Sequence, residues 1–287
     1  MSSTTVLSPA KINLLLKVLG KRDDGYHDIF SVMVPVSLFD QISIDAEDGH
    51  GITLECPCAG VPEDEANLAY RAAEAFLETT GLKRSVSIRI AKKIPVGAGL
   101  GGGSSDAASV LMALDSVVGT NLGEKTLMGI GARLGSDVPF FMLKGPAVAR
   151  GRGEVLGRIK LPPLSYILVN PGFEVSTRWA YNNLTLTKGY EDNILTYSED
   201  SFRDIGYIKD SLVNDLEEVV IGKHPEIQEL KRDLLRNGAF GALMSGSGPT
   251  VFGVFSSERV AERAFGVLKK RLDKRFSVFL THGLGGA

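Results

Sequence analysis

The chain has 287 residues, which is enough for one large or two ordinary domains with real cores. Its 44% hydrophobic and 23% charged residues are typical of a globular protein. A formal net charge of -2 gives no general attraction to nucleic acid or to an anionic membrane, so the composition favours a small-molecule partner.

The cysteines, the histidines and the first ten residues bear on metal binding and on the cellular compartment of the protein. Cys56 and Cys58 have no further Cys with which to form a zinc site, and we expect them to be free thiols in a reducing compartment. The four histidines show no metal-ligand spacing, so no metal held wholly by protein is predicted. Residues 1–10 lack the basic and apolar regions of a signal peptide. These patterns predict a cytoplasmic protein.

The first predicted elements are strands. Residues 6–18 alternate at the strand period, with Lys11 and Asn13 on one face and apolar residues on the other. Lysine and asparagine on a strand face ordinarily point to solvent. Asp24-Gly25 then predicts a tight turn, followed directly by Tyr26 and His27. This pair indicates a hairpin with an exposed aromatic ring, or an aromatic plate beside a hydrogen-bonding group. Further strands are predicted at 41–46 and 52–56.

A helix at 67–80, stopped by Gly81, and a strand from Ser85 precede the most informative stretch of the chain. Residues 97–103 contain five glycines and lead into helix-compatible sequence. A glycine loop at a helix N-terminus leaves backbone N–H groups free for an anion, most often a phosphate. Ser104 and Ser105 at the helix start can cap it or reach the ligand. The alternative is a glycine-rich surface turn, which five glycines make entropically costly.

Two familiar phosphate loops fit this stretch poorly. Residues 97–102 satisfy the spacing G-x-G-x-x-G, but a Rossmann unit needs an acidic residue about 20 positions later at a strand end. Asp115 comes too early and lies within the helical pattern. A P-loop needs a Gly, four further residues and then Gly-Lys-Ser/Thr, and neither Gly20-Lys21 nor Gly222-Lys223 fits.

After a short helix at 124–134, Asp137 lies between the helix end and an apolar run. It is either a turn or cap residue or a partly buried functional carboxylate. Pro162-Pro163 is the predicted domain boundary. Beyond it we predict a strand at 166–170, helices near Thr177 and at 211–220, 225–236 and 257–272, and strands at 240–244, 250–255 and 276–281. The order suggests a ferredoxin-like layer. Residues 244–249 form a second Gly/Ser loop, which either closes over a phosphate or simply connects a hairpin.

Together these stretches resemble the GHMP kinases, the small-molecule kinases of homoserine, mevalonate, galactose and related alcohols. The resemblance is carried in both halves of the chain by PVGAGLGGGSSDAA and LMSGSGPTVF. More narrowly, PAKINLLLKVLGKRDDGYHDI and GSDVPFF are similar to the branch that phosphorylates the cytidine diphosphate conjugate of methylerythritol in non-mevalonate isoprenoid biosynthesis. The resemblance implies an α/β (α+β) fold with an N-terminal ribosomal-protein-S5-like nucleotide-binding domain, residues 1–161, and a C-terminal ferredoxin-like domain, residues 162–287.

The resemblance also implies roles for individual residues. Asp137 is the expected general base and Lys11 its catalytic partner. Tyr26 is expected to stack on the cytosine and His27 to hydrogen-bond to it, with Asn13, Thr177 and Tyr181 also on the substrate. Phenylalanine is common in the family at the position of Tyr181. ATP, arriving with Mg²⁺, is expected on the loop formed by Pro95, Val96, Gly97, Ala98, Gly99, Leu100, Gly101, Gly102, Gly103, Ser104 and Ser105.

Two rival functions remain open from the residues. Another GHMP kinase, acting on homoserine or mevalonate, would have no use for an aromatic plate at Tyr26-His27. A non-catalytic nucleotide-binding module on the same fold would not require both Lys11 and Asp137. Asp106 is expected in the first helical turn, where its charge favours the helix dipole. We expect no nucleic acid or membrane partner.

Overall fold

The computed structural model describes residues 2–185 and 199–285. Their strands are β1 Ser2–Lys21, β2 His27–Asp48, β3 Ile52–Glu55, β4 Arg84–Ala91, β5 Ala147–Gly151, β6 Val155–Arg158, β7 Ser165–Asn170, β8 Val213–Asn214, β9 Gly241–Met244, β10 Val251–Phe255 and β11 Ser277–His282. Their helices are α1 Leu68–Thr80, α2 Gly102–Val118, α3 Glu124–Leu134, α4 Val138–Met142, α5 Thr177–Asn182, α6 Ile205–Asp210, α7 Glu217–Lys223, α8 Glu226–Arg236 and α9 Glu258–Arg271, with a 3₁₀ helix at Glu199–Arg203. The fold is therefore mixed α/β, as predicted.

The chain forms two compact units. The first contains residues 1–10, 38–96 and 101–144, and the second contains residues 11–37, 97–100 and 145–287. Each unit draws on separated parts of the chain, because β1, β2 and the glycine loop contribute residues to both. The boundary predicted from sequence at Pro162-Pro163 stays a prediction.

In the first unit, helices pack on a sheet formed by β2, β4 and β3. The second half of β2 pairs antiparallel with β4, from Gln41 opposite Ala91 to Asp48 opposite Arg84, and β3 pairs parallel with β4. Helix α1 begins where the Asn67 side chain accepts from the Ala69 N–H and ends at Gly81 in the left-handed region. Its alanine-rich face is buried against α2. The predicted helix 67–80 is confirmed.

The second unit contains a four-stranded antiparallel sheet in the order β11-β7-β10-β9. With α8 directly before β9 and α9 between β10 and β11, this is the ferredoxin-like arrangement predicted from the sequence. Helices α8 and α9 pack on the sheet, and the buried core includes Ile167, Val169, Leu230, Leu234 and Leu268. Elsewhere in the unit, β2 pairs with β5, β5 pairs with β6, and β1 pairs parallel with β8.

The predicted helix at 211–220 is wrong for residues 211–216, and only residues 217–220 are helical, as the start of α7. Helix α6 ends at Asp210, Val213 and Asn214 form a short strand against Leu15 and Leu16, and α7 begins only at Glu217. Tertiary pairing with β1 overrides the local helical pattern. The separate strands predicted within 6–18 and at 41–46 are parts of the long strands β1 and β2. No helix in the described ranges is both long and apolar enough to cross a membrane.

Candidate active site

Lys11 and Asn13 are buried on β1, with 5% and 4% of their surface exposed. The Lys11 Nζ donates to Asn13 Oδ1 at 2.6 Å, and Asn13 Nδ2 donates to the Ser31 hydroxyl on β2 at 2.8 Å. The strand face that ordinarily points to solvent is therefore enclosed. An ammonium group is costly to bury without partners, and the Asn13 amide oxygen is one such partner here.

The first part of the glycine loop contacts the second Gly/Ser loop. The Ser245 hydroxyl donates to Gly99 O at 3.0 Å, and the Thr250 N–H donates to Ala98 O at 3.3 Å. Gly99 has φ +73°, and a Cβ added there would lie 2.2 Å from Ser245 O. Only glycine fits, because the two backbones approach too closely for any side chain.

The second loop also lies beside the buried lysine. A Cβ added at Gly246 would lie 3.2 Å from Lys11 Nζ and 3.4 Å from Asn13 Oδ1. Residues 244–249 do connect the β9–β10 hairpin, which was one of the two interpretations of this stretch. They also bring backbone to within contact distance of Lys11, which a simple hairpin connection does not require.

The later part of the glycine loop opens helix α2. Gly101, at φ +70°, precedes the helix and no side chain in the described ranges caps it, so of the two roles considered for Ser104 and Ser105 the capping role does not occur. Both serines lie inside the first turn, and Ser105 Oγ accepts a hydrogen bond from the Ser8 hydroxyl at 2.8 Å. The first intrahelical bond runs from Ser105 N to Gly101 O. The N–H groups of residues 102–104 precede it, at the end of a helix where backbone N–H groups commonly bind anions.

A buried charge network flanks this helix start. Lys92 Nζ donates to Asp106 Oδ2 at 2.9 Å and also to Asp40, whose other oxygen accepts from Ile94 N at 2.8 Å. Burial raises the pKa of Asp106 to about 6, although the charge of Lys92 opposes that shift. Asp106 Oδ1 has no hydrogen-bond partner within the described ranges. Asp106 is the fifth helical residue, so the first-turn placement predicted for it is wrong.

Asn214 holds the second loop. Its Nδ2 donates to Met244 O and to Gly246 O, each at 2.8 Å, and its Oδ1 accepts from Leu216 N at 3.0 Å. Glu217, paired with Lys231, accepts from the Met244 N–H at 3.4 Å. Sequence reasoning missed Asn214 because it assigned this segment to a helix. It missed Asp40 and Lys92 because nothing in their spacing indicates that they meet.

Four of the predicted substrate residues belong to the second unit: Tyr26 directly before β2, His27 at its first residue, and Thr177 and Tyr181 on α5. The turn before Tyr26 is present as predicted, and 53% of Tyr26 is exposed. The rings of His27 and Tyr181 lie 5.0 Å apart, and the Thr177 hydroxyl lies 2.8 Å from that of Ser247 in the second loop. Burial, with the charge of Lys21, lowers the pKa of His27. The neutral imidazole can both donate and accept a hydrogen bond.

Asp137 lies in the first unit, at the residue that precedes α4. Its side chain makes no capping hydrogen bond to that helix. All five residues of α4 are buried, so this end of the helix is firmly placed. Asp137 therefore occupies a turn and the N-cap position, one of the two interpretations of this residue, although its side chain does not cap the helix; its functional role stays a prediction.

Neither a metal centre nor a disulfide is formed by the part of the chain that the structure describes. In the ranges 2–185 and 199–285, no group of three or more His, Cys, Asp or Glu side chains could hold a metal ion. Cys56 is buried and Cys58 partly buried, and both are free thiols.

Comparisons with known proteins place this geometry in a family. Models of the GHMP kinases N terminal domain and of the GHMP kinases C terminal region match residues 67–145 and 198–274. The chain is 48% identical over 271 residues to a 4-diphosphocytidyl-2-C-methyl-D-erythritol kinase of Geobacter sp. (strain M21), covering 94% of this chain and 96% of that protein.

Two solved structures have the same fold. A crystal structure of 4-(cytidine 5'-diphospho)-2C-methyl-D-erythritol kinase superposes with a TM-score of 0.80 at 33% identity, covering 99% of this chain and 100% of the other. Homoserine kinase from Cytophaga hutchinsonii superposes with a TM-score of 0.79 at 20% identity, covering 100% of this chain and 96% of the other, which shows the fold alone. The chain belongs to the GHMP kinases and, within them, to the 4-diphosphocytidyl-2-C-methyl-D-erythritol kinase family.

Proposed function

We propose that the chain transfers a phosphoryl group from ATP to the 2-hydroxyl of 4-diphosphocytidyl-2-C-methyl-D-erythritol, a step in non-mevalonate isoprenoid precursor biosynthesis. Its family is one of ATP-dependent small-molecule kinases, and its relatives at 48% identity carry the name of this activity. The observation that carries the proposal is the buried Lys11, which lies beside two glycine-rich loops in contact with each other.

The loop backbone would bind the triphosphate of ATP. The N–H groups of residues 102–104 lie before the first intrahelical bond of α2, where the helix dipole adds partial positive charge. No described side chain caps this helix start, so its N–H groups are available to a phosphate. Residues 95–105 are the proposed ATP loop.

Phosphoryl transfer to an alcohol depends mainly on positioning and charge stabilisation, with a base to accept the hydroxyl proton. We assign Asp137 as that base. Lys11 would keep the Asp137 carboxylate ionised by Coulomb attraction and neutralise charge on the transferring group. The Lys11–Asn13 hydrogen bond supports this role, because it fixes the ammonium on a rigid strand.

Magnesium is proposed to arrive with ATP and to be held mainly by phosphate oxygens and water. When bound, Mg²⁺ supplies charge neutralisation on the phosphates.

Recognition of the cytidine group would fall to the aromatic residues of the second unit. Tyr26 offers an exposed ring for stacking, and the neutral His27 can hydrogen-bond to the base edge. Tyr181 contacts His27, and Thr177 contacts Ser247, so both are proposed to complete the substrate site together with Asn13.

An ADP-release assay tests the proposal with four alcohols: the cytidine diphosphate conjugate of methylerythritol, homoserine, mevalonate and galactose. We expect turnover of the first alone. The Asp137→Asn variant should keep ATP and substrate affinity but lose turnover by about 10²–10⁴-fold, the usual contribution of a general base.

The exposed Asp273, changed to Asn, is the matched control and should retain full turnover. Equal turnover of homoserine or mevalonate would contradict the cytidyl substrate. Turnover of none of the four alcohols would favour a non-catalytic nucleotide-binding module.

A further inference from the structure

The turn that carries Tyr26 lies next to a second turn in the same sheet. Strand β2 follows Tyr26 directly, and its Ile29 pairs with Gly151 at the end of β5. The β5–β6 turn, residues 152–154, therefore continues alongside the Tyr26 turn. Gly151 and Gly153 both have positive φ, which shapes this turn tightly.

The second turn places a cation over the Tyr26 ring. The Arg152 guanidinium carbon lies 4.8 Å from the ring centroid, a cation–π distance. Arg152 is itself held by Glu154, whose Oε2 accepts from the Arg152 N–H at 2.7 Å and whose Oε1 lies 3.7 Å from Arg152 Nε. Glu154 thus fixes both the backbone and the side chain of Arg152.

The backbone of Tyr26 is fixed from the other direction. Asp24 Oδ1 accepts from the Tyr26 N–H at 3.1 Å, and Asp24 also pairs with Arg22 at the start of the turn. Desolvation raises the pKa of Asp24, but the hydrogen bonds from the Tyr26 backbone and Arg22, with the charges of Arg22 and Arg152, lower it overall. Although Tyr26 is 53% exposed, its backbone and one side of its ring both have partners.

We propose that Arg152 is a positioning residue for substrate recognition. Its guanidinium contacts one face of the Tyr26 ring and fixes the rotamer of that side chain, so that the base of the substrate stacks on the opposite face. An exposed tyrosine without such a contact loses rotamer freedom when a ligand binds, and this loss weakens affinity. A ring already held in place avoids most of that loss. The inference rests on the proposed cytidine substrate and extends it to a residue that no motif indicated.

Arg152→Met tests the inference, because methionine keeps much of the apolar stem and removes the cation. We expect the Kd and KM for the cytidine substrate to rise about threefold to tenfold, with kcat and ATP affinity unchanged. Arg152→Lys restores a cation and should recover part of the loss. Calorimetric titration and steady-state kinetics provide the measurements.

The double variant distinguishes positioning from direct binding. If Arg152 acts through the ring, Arg152→Met has no further effect on substrate Kd in a Tyr26→Ala background. An undiminished effect in that background would mean that Arg152 binds the substrate phosphates directly, and would overturn the inference. So would an unchanged Kd for Arg152→Met in the otherwise native chain.

Arg150→Met is the matched control. Arg150 lies on the same hairpin with its guanidinium carbon 5.3 Å from the Phe30 ring centroid, and it pairs with Glu199. Its loss should leave substrate Kd unchanged, and thermal melting verifies that each variant folds. If the native chain binds no cytidine diphosphate compound, the proposed function fails and the role of Arg152 fails with it. If the native chain binds one and Arg152→Met binds it equally well, only the role of Arg152 fails.

Discussion

The two glycine-rich loops of this protein are held by different kinds of interaction. The glycine loop is flanked by a buried ion network, in which Lys92 links Asp40 to Asp106 at the start of α2. The Gly/Ser loop is held by the neutral amide of Asn214, which donates to two backbone carbonyls. One loop depends on buried charge and the other mainly on neutral hydrogen bonds.

This difference determines how each loop should respond to change. A buried charge is costly when its partner is removed, and its contribution varies with pH. A neutral amide contributes less, and its contribution does not depend on titration. Substitutions in the ion network beside the glycine loop and at Asn214 beside the Gly/Ser loop should therefore change the free energy of unfolding by different amounts. Only the first should do so in a pH-dependent way.

The largest effect is expected for Lys92→Met. The substitution leaves the carboxylates of Asp40 and Asp106 buried without their cation, and breaking a buried ion pair in this way costs about 3–5 kcal/mol of the free energy of unfolding. Lys93→Met is the matched control, since Lys93 is adjacent and exposed and should change stability by less than about 0.5 kcal/mol. Urea denaturation measures both. Equal small losses would show that the network contributes little.

The next effect is a pH dependence that originates at Asp106. Its pKa is raised by burial from 3.8 to about 6, so between these values the folded chain binds more protons than the unfolded chain. The free energy of unfolding contributed by this group therefore falls as pH rises from about 4 to about 6 and is constant above that range. The change is about 2–3 kcal/mol.

Asp106→Asn isolates that contribution, because asparagine does not titrate. Urea denaturation of the native chain and the variant at pH 4, 5, 6 and 7 gives the difference at each pH. We expect the variant to gain stability relative to the native chain as pH rises through the window. A difference that stays constant across the four pH values would show that Asp106 does not carry the raised pKa.

The sequence predicts a loop when its signal is local, but it does not predict the distant residues that contact the loop in the fold. The glycine loop was predicted because its signal is local: five glycines, a strand before them and a helix after them. The ferredoxin-like layer was predicted for the same reason, from the periodicity of each element. The partners of the loops could not be predicted, because Asp40 lies 52 residues before Lys92, and no spacing rule joins them.

The errors have the same origin. Residues 211–220 have helical spacing, but pairing of Val213 and Asn214 with β1 decides their structure, and that pairing joins segments far apart in sequence. Lysine and asparagine on a strand ordinarily face solvent, but Lys11 and Asn13 are buried here, and their neighbours Ser31 and Gly246 belong to other elements. Arg152 was missed because only the pairing of β2 with β5 brings it to Tyr26.

The smallest effect on stability is expected for Asn214→Ala. This substitution tests whether the reaction depends on the hydrogen bonds that the Asn214 amide makes to the Gly/Ser loop. The buried carbonyls of Met244 and Gly246 lose a neutral donor, which costs about 1–2 kcal/mol, less than the loss of a charged partner. The loop lies beside Lys11, so a small displacement should lower kcat by about tenfold, with ATP affinity little changed. Asn183→Ala, which removes an exposed amide, is the control and should alter neither quantity appreciably. Unchanged kcat in a folded Asn214→Ala protein would mean that the chemistry does not depend on how the second loop is held, and that its contact with the glycine loop supports the fold alone.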